Sequence, residues 1–113
     1  MTTLLAYKLL NEADWTAAQA SGVTASAVDL ADGYVHLSTA EQVRETARRY
    51  FAGAGRVRLL RFDLAALGDI RWEESRGGEL FPHLYGPLEI TKANAAWWLE
   101  PGPDGTPVFP RMI

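Results

Sequence analysis

"DGYVHLSTAEQ", Asp32 to Gln42, sets a short alternating run directly against the signature of a helix start. Successive side chains of a strand point to opposite faces, so Tyr34, His36 and Ser38 share one side and Val35 and Leu37 the other. The aliphatic pair belongs in a core. Ser38 or Thr39 then predicts an N-cap, because Glu41 and Gln42 each stand three residues after one of them. "AEQVRETARRYFAG" continues as a helix to Gly53. A strand that delivers a histidine and passes at once into a helix fixes where the remaining elements must pack.

Working outward, Leu4 to Leu9 predicts a first strand. Asn11 predicts the N-cap of a helix, with Asp14 three residues on and Gly22 to end it. Downstream, "RVRLLRF" alternates, with Val57, Leu59 and Arg61 opposite Arg58, Leu60 and Phe62. Asp63 to Gly68 reads as a turn of helix, "IRWEE" as a short strand, "SRGGE" as a glycine turn, and "LFPHLYG" as a further strand. "ANAAWWLE" suits a final strand, although its alanines also permit helix, and "EPGPDGTP" is a turn before a short tail. The order predicts an α+β domain with two helices and a mixed or antiparallel sheet.

The totals bound the rest. A length of 113 residues fits one domain, residues 1–113, with room for a core. Apolar residues at 48% and charged residues at 22% are the ordinary globular mixture. With no cysteine there is no thiolate nucleophile or Cys-based metal site. A net charge of −3 lacks the Lys/Arg excess that phosphate neutralisation on nucleic acid requires, so no nucleic-acid partner is expected. The opening "MTTLLAYKLLNEADW" does not read as a signal peptide and no run approaches a membrane span, which leaves cytoplasm as the default expectation.

The second histidine lies in "FPHLYG", where Phe81, His83 and Tyr85 fall opposite Pro82 and Leu84. Both histidines therefore leave the aliphatic face and join an aromatic and hydroxylic set, the composition of a cleft that stacks a flat ligand. A structural histidine tied to a carbonyl or carboxylate is the competing reading. The candidate site comprises His36, His83 and Glu73 as catalytic groups, with Tyr34, Ser38, Thr39, Gln42, Tyr85 and Lys8 as ligand-binding groups. Gln42 reaches the pocket from the first turn of its helix, or completes a capping box. Three carboxylates near a turn, Glu73, Glu74 and Glu79 close to His83, are usually a solvated rim. Two histidines far apart in the chain, with no local ligand spacing, make a poor metal signal.

The chain resembles the bacterial family called domain of unknown function 952. The resemblance rests on "AYKLL", the Trp15 helix, "DGYVHLST", the strand ending in Asp63, the Trp72-Glu73 pair and "FPHLYG". It implies a compact relative of the ADP-ribosyltransferase superfamily, whose split α+β sheet holds NAD between two small sheets. On that resemblance Lys8 or Tyr7 corresponds to the early ribose-binding strand, His36 with Ser38 and Thr39 to the strand under the nicotinamide, and Glu73 or His83 to the late acidic position. The early-strand histidine or arginine typical of that superfamily is absent.

Three functions follow as expectations. The first is binding or cleavage of NAD or an ADP-ribose-like nucleotide, with NAD as substrate, no resident cofactor and no metal. The second takes "HLS" as a His-x-Ser motif of two-histidine phosphodiesterases, from which "HLY" departs at Tyr85. The third is a non-catalytic ligand- or protein-binding domain.

Overall fold

The computed structural model describes residues 4–113. In chain order the elements are β1 (Leu5–Asn11), α1 (Glu12–Ser21), α2 (Ala27–Asp32), β2 (Val35–His36), α3 (Val43–Tyr50), β3 (Val57–Asp63), β4 (Ile70–Glu74), β5 (Leu80–Leu84) and β6 (Ala95–Leu99). Single 3₁₀ turns cover Leu64–Ala66, Arg76–Gly78 and Ile90–Lys92.

The strands form two three-stranded sheets, ordered β1-β3-β6 and β2-β5-β4. Every strand pairing among the described residues is antiparallel, so the mixed alternative is corrected to an antiparallel one. The sheets meet at a bridge between Tyr7 and Ser38, where each backbone N–H donates to the other residue's carbonyl at 2.8 and 3.0 Å. Beyond it β1 and β2 part. A split sheet results, with its opening between these two strands.

β3 is the central strand of its sheet and is apolar on both faces, which places a core on each side. Ala6, Leu10, Leu60 and Phe62 join Val35, Leu37, Leu84 and Leu88 on one side, with Trp15 of α1 packed against them. Tyr7, Leu9, Val57 and Leu59 join Val43 and Ala47 of α3 on the other. The expected parity of β2 and β5 holds, since Val35, Leu37 and Leu84 are core residues.

Three α-helices replace the two expected. α2 is a six-residue helix whose Val28 and Leu30 are exposed while Asp29 is buried, so its sequence carries no apolar face to announce it. Asn11 caps α1 as expected, accepting from the Asp14 N–H at 2.7 Å, and Gly22 ends it in the left-handed region. α3 begins later than expected. Its N-cap position is Gln42, and neither Ser38 nor Thr39 caps it with a side chain. Instead the Thr39 N–H donates to Gln42 Oε1 at 3.0 Å, and Gln42 Nε2 donates to the Leu80 carbonyl at 2.8 Å, tying the helix start to β5.

Candidate functional site: a histidine pair at the seam between two sheets

β2 and β5 are in register with His36 opposite His83, and the two rings stand 5.3 Å apart between centroids. Tyr34 covers them, stacked on His83 at 4.2 Å and tilted against His36 at 4.6 Å. Two histidines widely separated in sequence are thus brought together by strand pairing.

Their surroundings differ. His36 is held between two carboxylates, with Nδ1 2.6 Å from Asp29 Oδ1 and Nε2 3.0 Å from Asp32 Oδ2. Asp29 and Asp32 thus take up both ring nitrogens. Asp29 also accepts from the His36 backbone N–H at 3.1 Å and from Lys8 Nζ at 2.7 Å, and Lys8 Nζ donates further to the His36 carbonyl. Burial alone would raise the Asp29 carboxyl, but the hydrogen bonds from His36 and the Lys8 ammonium outweigh it and hold it at about 2. Burial pushes the Lys8 ammonium down, against the opposing pull of Asp29.

His83 is buried, with 1% exposure, and only one of its nitrogens has a partner. Nδ1 lies 2.9 Å from Glu73 Oε1, which also accepts from the Tyr85 hydroxyl at 2.7 Å. These two contacts, the tyrosine first, hold the Glu73 carboxyl below its ordinary range, and the bond to Glu73 raises the Tyr85 phenol. Burial and the nearby carboxylates of Asp32, Glu73 and Asp29 raise the Tyr34 phenol. His83 Nε2 is buried without any hydrogen-bond partner. With Nδ1 as donor to a carboxylate, that nitrogen carries a lone pair.

A cleft of about 490 Å³ opens beside the pair. His36, His83, Lys8 and Ser38 line it, whereas Glu73, Tyr85 and Tyr34 lie outside its wall. His83 belongs to the cleft wall with its Nδ1 turned to Glu73. Thr39 and Gln42 also stand outside the wall, with Thr39 N–H and both ends of the Gln42 amide used in the fold. Lys8 faces the cleft already paired. Glu74 and Glu79 are exposed.

Reasoning from sequence alone missed four groups here: Asp29, Asp32, Thr46 and Arg76. The first two lie on α2, the helix with no apolar face to announce it. A helix over "AVDLAD" would have put Asp29 and Asp32 three residues apart on one face, just ahead of His36. Arg76 sat unremarked in the glycine turn, and Thr46 carried no signal beyond its place on α3.

A family model matches residues 9–96, most of the chain and both histidine stretches. The chain belongs to the family described as Protein of unknown function (DUF952). Among solved structures, protein CC0527 from Caulobacter crescentus is similar in its X-ray form at 47% identity and a TM-score of 0.86, with 92% of this chain and 93% of that one covered. The X-ray structure of a double mutant of CC0527 is similar at 44% identity and the same TM-score of 0.86 over the same shares. The solution NMR structure of CC0527 gives 47% identity and a TM-score of 0.79 over 94% of this chain and 92% of that one. No curated protein matches the chain. The antiparallel α+β fold of this chain is therefore similar to that of experimental structures of CC0527, and no helix among the described residues is long and apolar enough to cross a membrane.

Proposed function

We propose that the cleft binds a phosphorylated nucleotide of the NAD or ADP-ribose kind, and that the two histidines move protons on it. The observation that carries this reading is the buried, unpartnered Nε2 of His83, next to a second imidazole whose nitrogens both face carboxylates. A buried polar atom without a partner is costly in a folded protein, and a ligand hydroxyl or bound water supplies the missing proton. In this arrangement Glu73 fixes the His83 tautomer and Nε2 accepts a proton, while His36 Nε2 donates one when the ligand takes the place of the exposed Asp32 carboxylate. The cleft volume lies within the range of small-ligand sites, and its walls include Tyr7, Phe51 and Phe81 for stacking.

The ADP-ribosyltransferase-like reading draws support from the parting of β1 and β2 beyond the Tyr7–Ser38 bridge, which opens a cleft between two small sheets. Glu73 does not serve it as a stabiliser of positive charge on a ribose, since it is engaged behind His83. Asp32, on the cleft wall, is the carboxylate suited to that task.

Phosphodiester cleavage is the second reading. It is favoured by the direct cross-strand pairing of His36 with His83, the disposition a two-histidine acid/base mechanism needs. A binding screen of NAD, ADP-ribose and cyclic phosphodiesters, with product analysis, decides among them. Binding of any of these, lost in His83→Ala, supports the cleft as a nucleotide site. Turnover then names the reaction, and saturable binding without product makes the domain a sensor. No binding by the wild type overturns the proposal.

A further inference from the structure

Arg76 lines the cleft, half-buried, and has no carboxylate within ion-pair distance among the described residues. Its guanidinium lies over the Phe81 ring at 5.0 Å and donates to Thr46 Oγ1 at 3.2 Å. That hydroxyl also contacts Ser38 Oγ at 3.1 Å and bonds the Gln42 carbonyl. The other basic groups on this wall, Lys8 and the His36 ring, already face carboxylates. Arg76 is the one cation among the described residues there held in place yet left without a counter-charge.

Register places it next to the histidines. His36 stands opposite His83, and the Leu37 N–H donates to the Pro82 carbonyl, so Ser38 continues the pairing opposite Phe81. Residues two apart on one face of a strand are separated by roughly 7 Å. Phe81 and His83 stand one such step apart on one face, and the guanidinium, 5.0 Å from the Phe81 ring, shares the cleft wall with the His83 ring, so that one tetrahedral anion is placed to accept from the first and donate to the second.

We propose that Arg76, Thr46, Ser38 and the free Nε2 of His83 form a seat for a single phosphoryl group. This deepens the preceding reading and rests on the same cleft. The guanidinium offers a planar pair of N–H donors to two phosphoryl oxygens and the Ser38 hydroxyl, turned from Thr46, donates to a third, while the Thr46 hydroxyl, which donates to the Gln42 carbonyl, accepts from Arg76 and holds it in place; a P–OH of the ligand donates to Nε2. The ligand class is then a phosphate monoester, whose P–OH supplies the proton that Nε2 accepts. An uncharged nucleoside leaves Arg76 unanswered.

The test is an NMR titration of the full chain with inorganic phosphate at constant ionic strength, following the His83 ring, the Arg76 Nε–H and the Thr46 amide. Saturable shifts at these three groups are expected. Arg76→Gln weakens binding at least about tenfold, and Arg76→Lys recovers only part of the loss because it lacks the planar fork. No saturable shift in the wild type, or affinity unchanged within about twofold in a folded Arg76→Gln protein, overturns the seat. Parallel titration with ADP-ribose separates the two proposals. Phosphate bound through Arg76 with no nucleotide bound keeps the seat and sinks the nucleotide, while nucleotide binding indifferent to Arg76→Gln does the reverse.

Discussion

His36 and His83 face each other across one antiparallel register position, yet Asp29 and Asp32 occupy both nitrogens of the first while Nε2 of the second has no partner. On the proposed function this asymmetry gives the two rings opposite proton roles.

Replacing His83 tests that assignment most directly. If the protein turns over a nucleotide, His83→Ala lowers the rate by about 10²- to 10⁴-fold, the usual contribution of a positioned acid or base. His83→Gln, which retains a polar side chain, loses the rate to a similar degree while keeping more of the fold. Circular dichroism and turnover measured together check this.

Asp29→Asn is expected to cost about 3–5 kcal/mol, because it strands the buried Lys8 ammonium without its countercharge. The double variant Lys8→Met, Asp29→Leu regains most of that loss, since removing both charges leaves neither uncompensated. Ligand binding does not return with stability, as His36 Nδ1 has lost its acceptor. Urea denaturation of the three proteins measures the difference.

Acid should act on the same carboxylate. Asp29 titrates at about 2 in the folded chain against an ordinary 3.8, so its contribution is complete above about pH 4 and is lost as the pH falls toward 2. The amount is about 2 kcal/mol. Unfolding free energy of Asp29→Asn, followed over the same interval, lacks this component of the slope.

Tyr85→Phe removes the first of the two contacts that hold the Glu73 carboxyl down. The carboxyl then titrates nearer its ordinary range, and the acid limb of any activity profile moves to higher pH. Carboxyl ¹³C shifts of Glu73 in the two proteins report this without need of a substrate.

Gln42→Ala is expected to destabilise the fold by about 1–3 kcal/mol, since it frees the Thr39 N–H and the Leu80 carbonyl at once. Ligand affinity stays within a few-fold of wild type because the side chain is outside the cleft. A thermal melt and a binding isotherm on the same sample separate the two effects.

The alternation of "GYVHLS" and "FPHLYG" made the histidine face legible, since a period of two leaves no choice of side once Val35, Leu37 and Leu84 enter the core. That the strands are neighbours was not legible, because register arises from long-range pairing. α2 escaped notice because its one buried side chain is a carboxylate, the residue type least expected inside. Ser38, Thr39 and Gln42 read as helix caps from local spacing. Half of a capping box forms, since the Gln42 amide oxygen accepts from the Thr39 N–H, but the chain makes an extra turn before α3 and the other end of the amide braces β5. Arg76 was invisible because its significance lies in what it lacks.

Asp29 belongs to neither sheet, yet it grips Lys8 of one and His36 of the other across the line where they diverge. A molecule that engages His36 thereby presses on the rivet joining both halves. Occupancy and cohesion are coupled, and the melting temperature becomes a gauge of ligand binding, rising with the logarithm of ligand concentration once the site is nearly full.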